Sequence, residues 1–392
     1  FMEGVTSFMD FFKLRASWGQ NGNQSIDGFQ YLSTIDFNAR YFFGTDKGAI
    51  STGAYPDILA NEDVTWETSE QINIGFDARF LRSRLGVTFD YYVKNTKDWL
   101  LRAPALTSYG SGAPYINGGD VQNKGIELGL TWRDQVGDFS YGLSYNIAHN
   151  KNRVEELADG DDILGTTYSN YGSGSITIIR EGEPLGAFYV YKDAELDEKG
   201  SLSYVDMNGD GQYTDTEDRY IAGSPFPDFT YGLNCGFRYK NWDFNFFLQG
   251  SQGNDVFNLS EMRNYSYGQG MNIERKVYYE SWREGQDNSH VHYPKVEAVG
   301  SLKYSDRFIE NGSYLRLKNV SLAYNFPCEK WSTRNWLSGI RVFVSAQNWL
   351  TFTKYNGVDP EVSSKASDVN AGIDHLTYPN SKTISMGLSV KF

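Results

Sequence analysis

The sequence predicts an all-β fold, an antiparallel transmembrane β-barrel, and three observations predict it. Apolar and polar residues take turns along roughly ten segments, each near the 9–11 residues that a tilted membrane strand needs. The connections between these segments alternate between short and long. Aromatic rings gather at the segment ends that flank the short connections. A strand sends successive side chains to opposite faces, so the alternation describes a ribbon with one greasy face and one wet face. A soluble sandwich also alternates, but it has no reason to put all its long connections at one end. Outer-membrane barrels do, with short periplasmic turns and long extracellular loops.

Composition narrows the field further. The chain has 392 residues, 16% of them aromatic, with 40 Gly, 28 Tyr and 9 Trp, and is too long for one small sandwich. Mean hydropathy is −0.51, and no run approaches the roughly 18 apolar residues of a spanning helix. That excludes helical membrane proteins only, because alternating strands hide a lipid-facing surface from averaging. A formal charge of −13 argues against a nucleic-acid partner, which would want a basic surface. Cys235 and Cys328 stand far apart, so free thiols are expected, not a disulfide framework. No secretory signal opens the sequence. Residue 1 falls directly before a strand-like stretch, as expected of a sequence that begins inside a domain.

The segments follow in order. Phe12, Leu14, Ala16 and Trp18 alternate with Lys13, Arg15 and Ser17 in the first. A polar stretch runs to about residue 70, in which residues 29–37 alternate weakly and predict a hairpin arm above the membrane. Ile72, Ile74, Phe76, Ala78 and Phe80 mark the second strand, and only 81–84 separates it from the third, Leu85 through Val93. After a loop over 95–123 come Ile126, Leu128, Leu130 and Trp132, a turn at 134–138, and Phe139, Tyr141, Leu143, Tyr145 and Ile147. A very long insertion, 150–227, precedes Phe229 to Tyr239, the tight turn Lys240-Asn241, and Trp242, Phe244, Phe246 and Leu248. A further long loop leads to residues 314–326, where parity shifts between Leu317 and Val320, predicting a bulge near Lys318-Asn319. Residues 327–339 form a turn, Ile340, Val342, Val344 and Ala346 the penultimate strand, and 351–382 a loop. The last strand, 383–392, is apolar at every even position and ends on Phe392. Counting back from it puts the short turns on the periplasmic side, where Trp132, Tyr239, Trp242, Phe326 and Phe392 make an interfacial girdle.

The phrases between and within the strands carry a family likeness. Leu14-Arg15-Ala16-Ser17-Trp18-Gly19-Gln20-Asn21-Gly22-Asn23, Asn123-Lys124-Gly125-Ile126-Glu127-Leu128 and Arg180-Glu181-Gly182-Glu183-Pro184-Leu185-Gly186 are three of them. Residues 206–211, Ser313-Tyr314-Leu315-Arg316-Leu317-Lys318-Asn319-Val320 and Thr353-Lys354-Tyr355-Asn356-Gly357-Val358-Asp359-Pro360-Glu361 are three more. Together they resemble the C-terminal half of SusC/RagA-type TonB-dependent outer-membrane transporters, over nearly the whole chain. The resemblance implies a 22-stranded barrel with an N-terminal plug and TonB-contact segment, capped by a SusD-like surface lipoprotein. Residues 1–392 then supply about the last ten strands, with the plug and earlier strands absent from this sequence. Two open edges would not be viable in lipid alone. The implied function is active import of oligosaccharides or oligopeptides across the cell outer membrane, with no enzymatic activity. An adhesin or structural barrel without transport is the alternative.

The sharpest local motif is 206–217. Asp206, Asn208, Asp210, Gln212 (through its carbonyl) and Glu217 fit the calcium-loop template, with Gly211 at the sixth position for the sharp turn. The flanks do not read as helices, so Ca²⁺ would pin a loop and take no part in chemistry. His290 and His292 lack an evident third ligand, and His149 and His375 are isolated. No Ser/His/Asp order, phosphate-cradling glycine loop or Cys cluster supports a barrel enzyme, and Glu155-Glu156 and Asp161-Asp162 suit solvated loop charge. Trp99, Tyr109, Tyr115, Tyr168, Tyr171, Tyr265 and Tyr267 are expected to shape the mouth of the lumen. Their rings would pack on sugar C–H faces or peptide side chains, or else on neighbouring loops.

Overall fold

Ten long strands hydrogen-bond side by side in chain order. They are β1 Met9–Asn23, β2 Glu67–Phe80, β3 Leu85–Lys97, β4 Gly119–Val136, β5 Phe139–Leu157, β6 Phe229–Tyr239, β7 Trp242–Gln252, β8 Tyr314–Phe326, β9 Gly339–Thr353 and β10 Thr383–Lys391. The computed structural model describes residues 8–43, 50–102, 110–158, 160–165, 167–168, 171–265, 272–295, 302–328, 337–362 and 370–392. Every neighbouring pair is antiparallel, from Leu14 opposite Phe76 to Val344 opposite Met386. All ten predicted strands are present, and the parity shift is a bulge: β7 and β9 both change register across Lys318.

The two faces of this sheet differ as the alternation requires. Leu14 is 72% exposed, Met386 83% and Leu388 66%, and none of these rows is covered by a second sheet. An apolar band of this extent on a folded chain is a surface made for hydrocarbon. On the opposite face Arg15 pairs with Asp90 at 2.7 Å and Asp77 at 3.1 Å. Those charges line an aqueous lumen, since lipid would not solvate them. Rings flank the short turns as the girdle demands: Trp242 lies 4.8 Å from Tyr324, which lies 4.9 Å from Phe326. The turns are tight because unusual backbone is accepted there. Gly137 has φ 59°, and Leu81, Arg82 and Ser83 all lie in the left-handed region.

Two expectations are corrected. The hairpin arm is Ile35–Phe42 paired with Ile50–Pro56, not residues 29–37, so only the last of the weakly alternating residues belong to it. Secondly, β4 and β5 extend to 18 and 19 residues, so the 95–123 loop ends at Gly119 and the 150–227 insertion begins inside a strand. At about 3.3 Å per residue such strands run ~60 Å, well past the apolar band, and their outer halves are polar.

The largest hydrophobic core sits in the outer loops and not in the ten-stranded sheet. A four-stranded sheet of Ile163–Leu164, Thr177–Ile179, Ala187–Tyr191 and Arg219–Gly223 grows from the long insertion. It joins Asp255–Phe257, the helix Leu259–Met262 and Ile309–Asn311 around Phe188, Phe257, Leu259, Met262, Tyr304 and Phe308, all essentially unexposed. Among the described residues no helix is long and apolar enough to cross a membrane.

Candidate functional site

The outer mouth of the lumen is tied together by one buried arginine. Arg316 enters on the lumenal face of β8, before the bulge, and is 3% exposed. Its two terminal nitrogens donate to Asp359 and Glu361, and Nε donates to Thr351 Oγ1 at 2.9 Å. A planar guanidinium offers several fixed donors, which is why one residue can hold two carboxylates and a hydroxyl together. Lys318 adds a contact to Glu361 at 2.7 Å, making two cations for two anions. Asn380 donates its backbone N–H to Asp359 at 2.9 Å and its side-chain amide to Glu361 at 2.8 Å. The network thus fastens the loop after β9 across the inside of the barrel wall. Burial would raise the Asp359 carboxyl, but the Arg316 contact and two backbone N–H groups hold it below the usual carboxylate range. Next to it opens a cavity of about 430 Å³, bounded by Gln249, Ser251, Tyr314, Lys318, Glu361 and Asn380. Its lining offers several hydrogen-bonding groups, as a polar ligand requires.

The calcium-like loop is a set of nested turns. Asp206 accepts from the N–H of Gly209 at 2.6 Å and of Gly211 at 2.7 Å, both glycines having positive φ. Asn208 accepts from the Asp210 N–H at 3.1 Å, and Asp210 from that of Gln212 at 2.7 Å. Glu217 accepts from the Asn208 amide at 3.0 Å. Among the described residues no three His, Cys, Asp or Glu side chains converge as a metal shell. A residue absent from the calcium template does most of the local holding. Asp218 is fully buried and accepts from the Met207 N–H at 2.8 Å and the Thr214 N–H at 2.7 Å, clasping both ends of the loop. The signal was present, since Asp218 adjoins Glu217, but burial of one acid and exposure of its neighbour is invisible in sequence.

Those amides, Thr214 foremost, hold the Asp218 carboxyl below its ordinary value. The folded-state pKa therefore lies under the unfolded value of about 3.9. The clasp contributes stability above that pH and loses it as pH falls through the folded value. External protease should leave 206–217 intact at pH 5 and cut it only in stronger acid. Asp218→Asn should remove that acid transition, and cleavage beginning near neutrality in the unaltered protein would refute the assignment.

The aromatic residues separate into packed and shared positions. Trp99 leans on the buried Val154, Leu157, Ile179 and Leu185. Tyr115 lies beneath the Arg102 guanidinium at 5.0 Å. Tyr168 and Tyr171 both meet the His375 ring edge-on, at 5.0 and 5.5 Å, so His375 is not isolated. Tyr265 is 1% exposed between Tyr293 and Phe308, and its enclosed ring offers no face to a ligand. It belongs to the core, a correction that follows from its place after a buried helix. Tyr109 and Tyr267 lie outside the described residues. Sequence reasoning missed Tyr278 and Tyr279 on the helix Arg275–Glu280, which are 56% and 67% exposed and form an outward aromatic pair. Cys235 and Cys328 are free and buried.

Comparison with known proteins gives a consistent picture. The family model described as "TonB dependent receptor-like, beta-barrel" matches residues 4–348. The chain is 34% identical over 404 residues to TonB-dependent receptor P3 of Formosa agariphila, covering 97% of this chain and 39% of that protein. It is 33% identical over 411 residues to TonB-dependent receptor SusC of Bacteroides thetaiotaomicron, covering 100% of this chain and 38% of SusC. Among solved structures, the RagAB peptide transporter superposes with a TM-score of 0.80 at 26% identity, covering 98% of this chain and 41% of that one. The chain thus spans about two-fifths of the length of these relatives.

Proposed function

The chain belongs to the TonB dependent receptor-like β-barrel family, and on that premise we propose that it forms the wall and outer loops of an outer-membrane importer. The observation that carries this reading is the sheet with one bare apolar face and one charged face, whose long loops build a folded core of their own. A polar lumen admits hydrophilic oligomers, and the cavity beside Lys318 and Glu361 lies where they would enter. The substrate class is oligosaccharide or oligopeptide. The driving force would come from TonB through receptor segments outside this chain, and a SusD-like surface lipoprotein would cover the mouth. The RagAB likeness supports peptide, and the sequence reading leaves oligosaccharide open, so both belong in the assay.

Uptake of labelled oligosaccharide and oligopeptide pools by cells with and without the full receptor tests the reading. Saturable uptake that disappears on deleting TonB is expected, with a lipoprotein co-purifying. Normal uptake in the deletion strain, together with loss of surface attachment, would favour an adhesin.

The loop 206–217 takes Ca²⁺ in this proposal, with Asp206, Asn208, Asp210, Gln212 and Glu217 as ligands. What supports it is a backbone already bent to the template, with Asp206 holding the two glycine amides. Binding would draw Glu217 from the Asn208 amide towards the ion. Calcium titration of the purified receptor should slow protease cutting within 206–217, and Asp210→Asn should weaken that protection. Unchanged cutting at saturating calcium would remove the metal from the account.

A further inference from the structure

Just above the apolar band, the lipid-facing side of the sheet carries a cationic patch that the import reading leaves unused. Lys124 continues the outward row of Trp132, Leu130, Leu128 and Ile126 on β4, and Lys151 continues that of Tyr145, Ile147 and His149 on β5. The two lysines stand directly opposite each other in the pairing of these strands, and both are exposed. Lys124 lies eight positions from the girdle ring Trp132. That is roughly 26 Å along a tilted strand, which reaches the upper edge of a band ~25 Å tall. Among the described residues neither lysine has a hydrogen-bond or ion-pair partner for its side chain. Arg153, the next outward position on β5, is also exposed and meets Glu155 only at 4.0 Å. Glu70, which faces out on β2, is already engaged by Trp18 Nε1 at 2.9 Å and Lys97 at 3.4 Å.

We propose that Lys124 and Lys151, with Arg153 beside them, bind the phosphate of a lipid headgroup in the outer leaflet. Like charges directly across an antiparallel pair repel, so the juxtaposition costs stability until an anion sits between them. A phosphate answers both, because it accepts from several ammonium donors at once. Each ammonium is a compact charge on a flexible stem, so the two can close on one phosphate from adjacent strands. Snorkelling explains a single lysine at this level, but it gives no reason to place two face to face. Tyr91 and Ile126, paired one row nearer the membrane centre and both exposed, offer an apolar surface to the acyl chains of the same lipid. A free phosphate ion would have no use for that surface, so lipid is the source the site fits.

The inference rests on the barrel reading above, so its test keeps the two apart. Fluorescent lipid A is titrated into the full-length receptor in a neutral detergent, alongside lipid A stripped of its phosphates by a phosphatase. Binding of intact lipid A should weaken about tenfold or more in the Lys124→Gln, Lys151→Gln double variant, the usual loss when charge-assisted hydrogen bonds go. The stripped lipid should bind both proteins alike and weakly. Inorganic phosphate at the lipid's own concentration should not displace it, and displacement there would overturn the lipid assignment. Because the pair points away from the lumen, the variant should import substrate at the unaltered rate. Equal lipid A affinity in the two proteins, with import intact, would overturn the headgroup site and leave the import reading standing. A receptor that binds lipid A as expected yet imports nothing would fail the import reading alone. Melting gives a second readout whose sign separates binding from a role in folding. Without lipid, Lys124→Gln should melt no lower than the unaltered receptor, and it should lose the stabilisation that lipid A confers. A lower melting temperature without lipid would count against the headgroup site.

Discussion

Arg316→Ala should loosen the outer rim of the barrel by about 3–5 kcal/mol, the usual cost of leaving buried carboxylates without their counter-charge. Asp359 and Glu361 would lose their guanidinium and keep Lys318, Tyr314, the Asn380 amides and the Glu361 backbone N–H to answer them. The two carboxylates, separated only by Pro360, would then repel each other with less counter-charge between them. The loop after β9 should detach, raising hydrogen exchange at 355–362 and 376–382 while β8 and β9 remain paired. The combination Arg316→Met, Asp359→Asn and Glu361→Gln should recover most of the loss, because it removes the charges together. If the triple variant is as loose as the single one, the network does not act as the fastening. The same network sets an acid limit. Asp359 titrates below its unfolded value, so its contribution is held above about pH 4 and fades as pH falls through the folded pKa.

Phe257→Ala should cost the outer cap about 3–5 kcal/mol, typical of deleting a buried ring without collapse of the hole. Phe257 is unexposed, with Phe188, Tyr304 and Phe308 rings about it at 6.3, 6.0 and 6.0 Å. Its strand also joins Ile309–Asn311 to the segment at Ile373, so three loops share the ring. Because that core lies outside the sheet, the barrel should stay inserted and keep its heat-dependent shift on gels. External protease should then cut within 160–223 and 255–311. Uptake should fall with the loops. Loss of the barrel along with the cap would show that the two are one folding unit.

The strands were legible because a membrane wall obeys one rule with period two. Ile384, Met386, Leu388 and Val390 needed no knowledge of their neighbours to be placed on one side. The same held for Lys318, whose bulge showed as a slip in that period. The cap was not legible. Ala187–Tyr191 is buried at every position, so its run of apolar residues has no alternation to announce a strand. Its partners lie as far along the chain as Arg219–Gly223 and Tyr304. Arg219 illustrates the limit further. Two of its buried nitrogens lack hydrogen bonds, and the rings of Tyr189 and Tyr191 lie 4.7 and 5.8 Å from its guanidinium. No spacing in the sequence points to that stacking.

By itself, then, the sequence determined where the ten long strands of the main sheet run, which face of each is apolar, and the end at which the loops gather. Those follow from local alternation, a property each segment carries alone. Only the tertiary structure decided that the loops fold around their own core, that Tyr265 is enclosed while Tyr278 and Tyr279 face outward, and that Arg316 joins Asp359 and Glu361. Burial and charge pairing depend on residues dozens of positions apart, and their outcome is set when the chain closes on itself.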